Sequence, residues 1–163
     1  MKTLLILRHA KSSWDNAHLS DHDRPLNARG KQDAPRVGAV LKEHGLVPDL
    51  IITSTAERAL ATAEAAAIHS DYPHELKIDR RLYHAPPATY LAVLRDLGQG
   101  PDRVMVVGHN PGVEDLVSHL TDRLEAMPTA ALVQIDLPLS RWSDLSDTTH
   151  GKLVWLWRPK EEI

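Results

Sequence analysis

Cysteine is absent from these 163 residues, which removes disulfides, thiolate metal ligands and a cysteine nucleophile at once while leaving the redox compartment open. Phenylalanine is absent too, and aromatic residues make up only 4%, so a core has to be assembled from Leu, Val, Ile and Ala. A basic excess is also missing. The formal charge of −3 argues against nucleic acid as the main ligand, because phosphate-backbone binding normally shows a basic stripe. Long hydrophobic runs are lacking as well. The opening stretch 4–7 is too short for a signal-peptide core and leads straight into charged residues, and no later run nears membrane-spanning length. A cytoplasmic protein without membrane contact is therefore expected. No Gly/Ser-rich or charge-blocked segment reads as a linker, and the length suits one domain, 1–163, around a single core.

What the chain does have is alternation. Short aliphatic runs at 3–7, 50–53 and 104–107, bounded by polar or turn residues, predict buried strands; 131–137 and 153–157 predict closing strands, the last near a sheet edge. Between them the pattern predicts helices over 27–44, 55–69, 88–97 and 111–120. Such alternation produces βαβ crossovers, so the expected fold class is α/β, a single three-layer α/β/α sandwich with a mostly parallel central sheet. Pro35 lacks a backbone donor and predicts a disturbance in the first helix. Ser54 followed by Glu57 fits a capping box that starts the second helix at Thr55, and Asn110 before Pro111 fits an N-cap with proline at the first helical position. The stretch 71–85 reads as loop with at most short strands.

Three of the predicted strands end in chemistry. Leu4-Leu5-Ile6-Leu7 delivers Arg8 and His9, Leu50-Ile51-Ile52 leads into Ser54-Thr55-Ala56-Glu57-Arg58, and Val104-Met105-Val106 leads into Gly108-His109-Asn110-Pro111. The carboxyl ends of strands in an α/β sheet share one rim, so Arg8, His9, Arg58 and His109 are candidates for a common pocket. Taken singly, each has an ordinary explanation: a solvated strand end, a solvated helix arginine, a core histidine bonded to backbone. The ordered set is what carries weight. Arg8-His9-Ala10-Lys11-Ser12-Ser13-Trp14, Asp23-Arg24-Pro25-Leu26-Asn27 with Gly30, the Arg58 segment with Thr62, and Gly108-His109-Asn110-Pro111 with Gly112 together resemble the histidine phosphatase superfamily across nearly the whole chain. The resemblance is greatest to its small SixA-type phosphohistidine phosphatases.

That resemblance implies a metal-independent phosphatase in which His9 takes the phosphoryl group as a transient phosphohistidine and water then releases phosphate. It also implies that Arg8, Arg58 and His109 bind the phosphoryl oxygens. The residue types suit these roles, since a guanidinium presents a planar donor fork to phosphoryl oxygens and a neutral imidazole can attack phosphorus. Positive charge at Arg8 disfavours protonation of His9, and the ring nitrogen that does not attack needs an acceptor such as a backbone carbonyl. No cofactor is implied. His18 and His22 have the spacing of a shared helix face, but their surroundings are not helical and no third ligand follows at fixed spacing, so no metal site is expected.

The chain departs from the family pattern in three places. Ala10 stands where many members have glycine, and Asp15 stands where mutase-like members have a phosphate-contacting asparagine, which requires its carboxylate to turn away or be engaged by Lys11. Mutase-like members also carry a glutamate general acid between the second arginine segment and the second histidine, where this chain reads Arg81-Leu82-Tyr83-His84-Ala85. An alkoxide leaving group benefits strongly from such an acid, whereas the imidazole of a phosphohistidine can be protonated on its own ring. The missing carboxylate therefore favours a phosphohistidine-bearing protein as the partner, with His84 as the substitute proton donor if esters are cleaved. Small phosphate monoesters are the enzymatic alternative. A phosphate- or phosphoprotein-binding module without turnover is the non-enzymatic one.

Overall fold

Alternate residues of the first strand, β1 (Lys2–Arg8), belong to two different apolar clusters: Leu4 and Ile6 to one, Leu5 and Leu7 to the other. Side chains of a strand point to opposite faces in turn, so both faces of the sheet are covered. The computed structural model describes residues 1–159. After β1 come α1 (Ala28–Glu43), β2 (Leu50–Thr53), α2 (Glu57–Ser70), β3 (Lys77–Ile78), α3 (Pro87–Arg95), β4 (Arg103–Gly108), α4 (Gly112–Thr121), β5 (Leu132–Leu137) and β6 (Lys152–Trp157). Helices α1 and α2 cover the face of Leu5 and Leu7 through Ala34, Val37, Leu41, Ala59, Ala63 and Ala66. Helices α3 and α4 cover the other through Leu91, Leu94, Val113, Leu116 and Val117. The result is the expected three-layer α/β/α arrangement.

The sheet order is β3-β2-β4-β1-β5-β6. It is parallel from β3 to β1 and antiparallel at β5 and β6, so the parallel part is the part that carries the candidate residues. The antiparallel turn has a visible cause. After α4, residues 122–131 bring the chain back to the carboxyl end of β1, where the Ala130 N–H donates to the carbonyls of Arg8 and His9 at 3.1 and 3.0 Å. From there β5 can only run down the sheet against β1. β6 then forms one edge, as expected.

Local signals explain several boundaries. Asn27 caps α1 by accepting from the Gly30 N–H at 2.9 Å, and α1 runs from Ala28 to Glu43 with Pro35 inside it. Gly30 is required for packing: a Cβ there would lie 2.1 Å from the Lys11 carbonyl oxygen, on the segment that follows the Arg8-His9 pair. The capping box at Ser54 does not form. Helix α2 begins at Glu57 with Ala56 as its cap, and the Ser54 hydroxyl accepts from the Ala56 N–H at 3.3 Å and lies 2.8 Å from His109 Nε2. The Asn110 cap is likewise absent: α4 begins at Gly112 after Pro111, and the Asn110 amide reaches instead to the Met127 carbonyl at 3.0 Å. Within 71–85 lie the two-residue β3 and a short 3-10 turn over Arg80–Leu82. Among the described residues no helix is long and apolar enough to cross a membrane.

Candidate active site

Strand register brings the candidate residues to one rim. Arg8 pairs with Gly108 across β1 and β4, and Thr53 pairs with Val107 across β2 and β4. The ladder continues one step beyond: the His9 N–H donates to the Gly108 carbonyl and the Ser54 N–H to the Val107 carbonyl, each at 3.1 Å. Arg8, His9, Arg58 and His109 thus line a single cleft of ≈ 630 Å³.

His9 is 6% exposed, and its Nδ1 lies 2.6 Å from the Ala10 carbonyl oxygen. A carbonyl can only accept, so Nδ1 carries the ring proton and Nε2 keeps its lone pair. Burial above all pushes the His9 pKa down to about 3; the Ala10 bond opposes this, and Arg58, Arg8 and Arg24 add to it. The ring is neutral at ordinary pH. Ala10 is itself fully buried, with its N–H on the Thr62 hydroxyl at 2.9 Å, and that hydroxyl donates to the Arg58 carbonyl at 2.7 Å. One threonine thereby ties the segment after β1 to the first turn of α2.

His109 sits 5.1 Å from His9 between ring centroids, with Nε2 2.8 Å from the Ser54 hydroxyl. Burial, then the neighbouring His9, Arg58 and His84, push its pKa down to about 3. Arg8 donates to the Met127 carbonyl at 3.0 Å, and that same carbonyl receives Asn110. Arg8 Nε, Arg58 Nε and His109 Nδ1 are buried without a protein partner. Arg8 and Arg58 also line the cleft, and a guanidinium is a cationic donor suited to an anion.

The residue that the sequence did not single out is Asp21. Its carboxylate accepts from Tyr83 at 2.6 Å, from Arg58 at 3.0 Å and from Arg24 at 3.0 Å, and lies 3.2 Å from His84 Nε2. The Tyr83 hydrogen bond, followed by Arg58 and Arg24, holds its carboxyl well below the usual carboxylate range. Its one sequence signal is nearness to Arg24. Ser54 was also misread, as a helix cap. His84 adopts a left-handed backbone, φ 54°, and stacks on His109 with centroids 5.7 Å apart. Asp15 is exposed at the cleft mouth, and no ion pair joins it to Lys11 among the described residues. His18 and His22 do not share a helix: His22 lies in a 3-10 turn and bonds Thr55 at 2.8 Å. No group of three or more metal-ligating side chains occurs among the described residues.

The sequence profile of the histidine phosphatase superfamily (branch 1) matches residues 4–83, which take in Arg8, His9, Asp21 and Arg58. The crystal structure of a protein assigned as the phosphohistidine phosphatase SixA of Agrobacterium tumefaciens superposes with a TM-score of 0.82 at 27% identity, over 97% of this chain and 98% of that one. This chain belongs to the histidine phosphatase superfamily. A second structure, the protein histidine phosphatase SixA complexed with tungstate, gives a TM-score of 0.80 at 25% identity, over 94% of this chain and 95% of that one. An uncharacterised chloroplastic protein of Arabidopsis thaliana is 33% identical over 150 residues, 82% of this chain, and the match spans 66% of the plant protein's length.

Proposed function

We propose that the chain hydrolyses phosphohistidine carried on another protein, by way of a phosphoryl group held transiently on His9, with 1–163 acting as one catalytic domain. The observation that carries this reading is the state of the His9 ring. Nδ1 is fixed on the Ala10 carbonyl and burial keeps the ring neutral, so Nε2 is free to attack in a cleft shared with Arg8, Arg58 and His109. In the first step the Nε2 lone pair bonds to phosphorus as the substrate's P–N bond breaks; its electron pair leaves with the substrate imidazole, which takes up a proton on its own ring. In the second, water attacks phosphorus, the P–Nε2 bond breaks, its electron pair returns to His9, and phosphate departs. The two guanidiniums and the His109 ring stabilise the charge that spreads over the equatorial oxygens in both steps.

The substrate class follows from the proton supply. Asp15 and Asp21 are the carboxylates that line the cleft; Asp15 is exposed at its mouth, and the hydrogen bonds of Asp21 from Tyr83, Arg58 and Arg24 keep it ionised at neutral pH, so it has no proton to give. A leaving alkoxide needs a donor, while a leaving imidazole does not. The likeness to the SixA structures supports the same class. One observation favours a second reading, small phosphate monoesters: the His84 ring lies over His109 with Nε2 on Asp21, an imidazole placed at the cleft where it can protonate an ester oxygen.

The test is a parallel assay of the pure protein on a phosphohistidine-bearing protein domain and on an unactivated sugar phosphate. A higher kcat/KM on phosphohistidine is expected. Should the sugar phosphate win, the second reading replaces the first, and loss of that activity in His84→Gln identifies the donor. No phosphate release from either substrate would leave a binding module.

A further inference from the structure

Trp14 is the one aromatic among the strongly exposed large side chains of the described residues, 75% exposed, and it lines the same cleft as His9 and Arg58. Leaving an indole in water forfeits the gain of burying it, so its fixed position at the mouth of a polar cleft invites a functional explanation. The position is indeed fixed. The Arg24 guanidinium carbon lies 3.5 Å from the Trp14 ring centroid, covering one face of the indole. Arg24 is 7% exposed and held in turn by the Ser12 hydroxyl at 2.7 Å, the Ser13 carbonyl at 3.3 Å and the Asp21 carboxylate at 3.0 Å. Asp21 gives one oxygen to Arg24 and the other to Arg58. The indole is thus coupled through Arg24 and Asp21 to the arginine at the phosphoryl end of the cleft. With one face covered and most of the side chain exposed, the other face is turned to solvent.

We infer that the open face of the Trp14 indole is a stacking platform for the heteroaromatic ring that carries the phosphoryl group. It makes Trp14 a specificity-determining residue that selects an azole-bound phosphoryl group over a bare oxyanion. The inference rests on the phosphohistidine reading only for the identity of the ring, an imidazole. Its electrostatics are favourable before the P–N bond breaks: a phosphohistidine ring protonated on its free nitrogen is an imidazolium, and an indole face attracts a cation.

Binding separates the platform from a merely structural role, in which Trp14 would only hold Arg24 and so affect every anion alike. Dissociation constants for a non-hydrolysable phosphoryl-triazole peptide and for tungstate are measured calorimetrically on the wild type, Trp14→Ala and Trp14→Phe. Trp14→Ala is expected to weaken the triazole about two- to tenfold, the range of an aromatic stacking contact, with tungstate shifted less than about twofold and Trp14→Phe close to wild type. Equal weakening of both ligands, or an unchanged triazole affinity, overturns the platform. Turnover of phosphohistidine, measured separately on the wild type, keeps the two readings apart. Trp14-dependent triazole binding without phosphohistidine turnover sinks the substrate assignment and leaves the platform. Turnover with Trp14-independent triazole binding does the reverse.

Discussion

Arg58 and Asp21 are joined through two contacts, one guanidinium nitrogen donating to the Asp21 carbonyl at 2.6 Å and the other to its carboxylate at 3.0 Å. The aspartate therefore sets where the guanidinium points. In the proposed reaction Arg58→Ala removes a charge-assisted donor from the transferring phosphoryl group, and turnover is expected to fall by about two powers of ten or more. Asp21→Ala leaves the charge of Arg58 but not its aim, with an expected loss of about tenfold, equivalent to about 1.4 kcal/mol. Steady-state kinetics and tungstate affinity check both. Unchanged turnover with tighter tungstate binding in Asp21→Ala would mean that the carboxylate competes with phosphate and does not position Arg58.

His9→Ala is expected to abolish phosphate release while leaving the circular dichroism and urea midpoint near those of the wild type, since the ring lies at a strand end and outside both apolar clusters. Wild-type enzyme quenched in alkali during turnover should carry phosphate on His9, because an N-phosphorylated histidine survives base and is lost in acid. Fast turnover with no label on His9 under these conditions would eliminate the covalent route.

Stability should fall on acidification before the carboxylates begin to protonate. His9 and His109 are held down to about 3 against an ordinary value of 6.5, so below 6.5 the unfolded chain binds protons that the folded chain refuses until about 3. The unfolded state then binds more protons, and stability declines as pH drops through that window. The depressed Asp21 carboxyl works in the same direction at lower pH: its contribution is present above the unfolded value of 3.8 and is lost as pH falls toward its folded value. Urea midpoints compared at roughly pH 7 and pH 5 report the histidine part alone. His109→Gln should show a smaller drop than the wild type; equal drops would show that the buried ring does not resist protonation.

Gly108→Ala should destabilise the fold by about 1–3 kcal/mol, the usual cost of overpacking. A Cβ at this position would lie 1.9 Å from the Tyr90 hydroxyl oxygen, and Tyr90 is fully buried and cannot swing away. The Gly108 carbonyl also receives the His9 N–H, so turnover should fall with stability. A urea midpoint equal to that of the wild type would show that Tyr90 has room to move.

Much of the fold was legible because it rests on short-range patterns. The aliphatic runs before His9, Ser54 and His109 became β1, β2 and β4, and the helix predicted over 27–44 became α1. The signals that misled were also local ones. Ser54 and Asn110 both fit helix caps by spacing, yet Ser54 bonds His109, 55 residues away, and Asn110 bonds Met127, 17 residues away. A side chain that can cap a helix can equally bond a group brought close by the sheet, and spacing along the chain does not decide between them.

The sequence by itself determined the chemistry available at the rim. Strand ends carrying Arg8, His9 and His109 had to meet there once their apolar runs were buried side by side, because parallel strands in register bring their carboxyl ends together. Only the tertiary structure decided how those groups are held and charged. Asp21 bonds Arg58 across 37 residues and Tyr83 across 62, and no periodicity records such a partner. The neutrality of His9 and His109 comes chiefly from burial, with fixed neighbouring charges adding to it. Burial depends on every layer packed around a residue, so it exists only once the whole chain has folded.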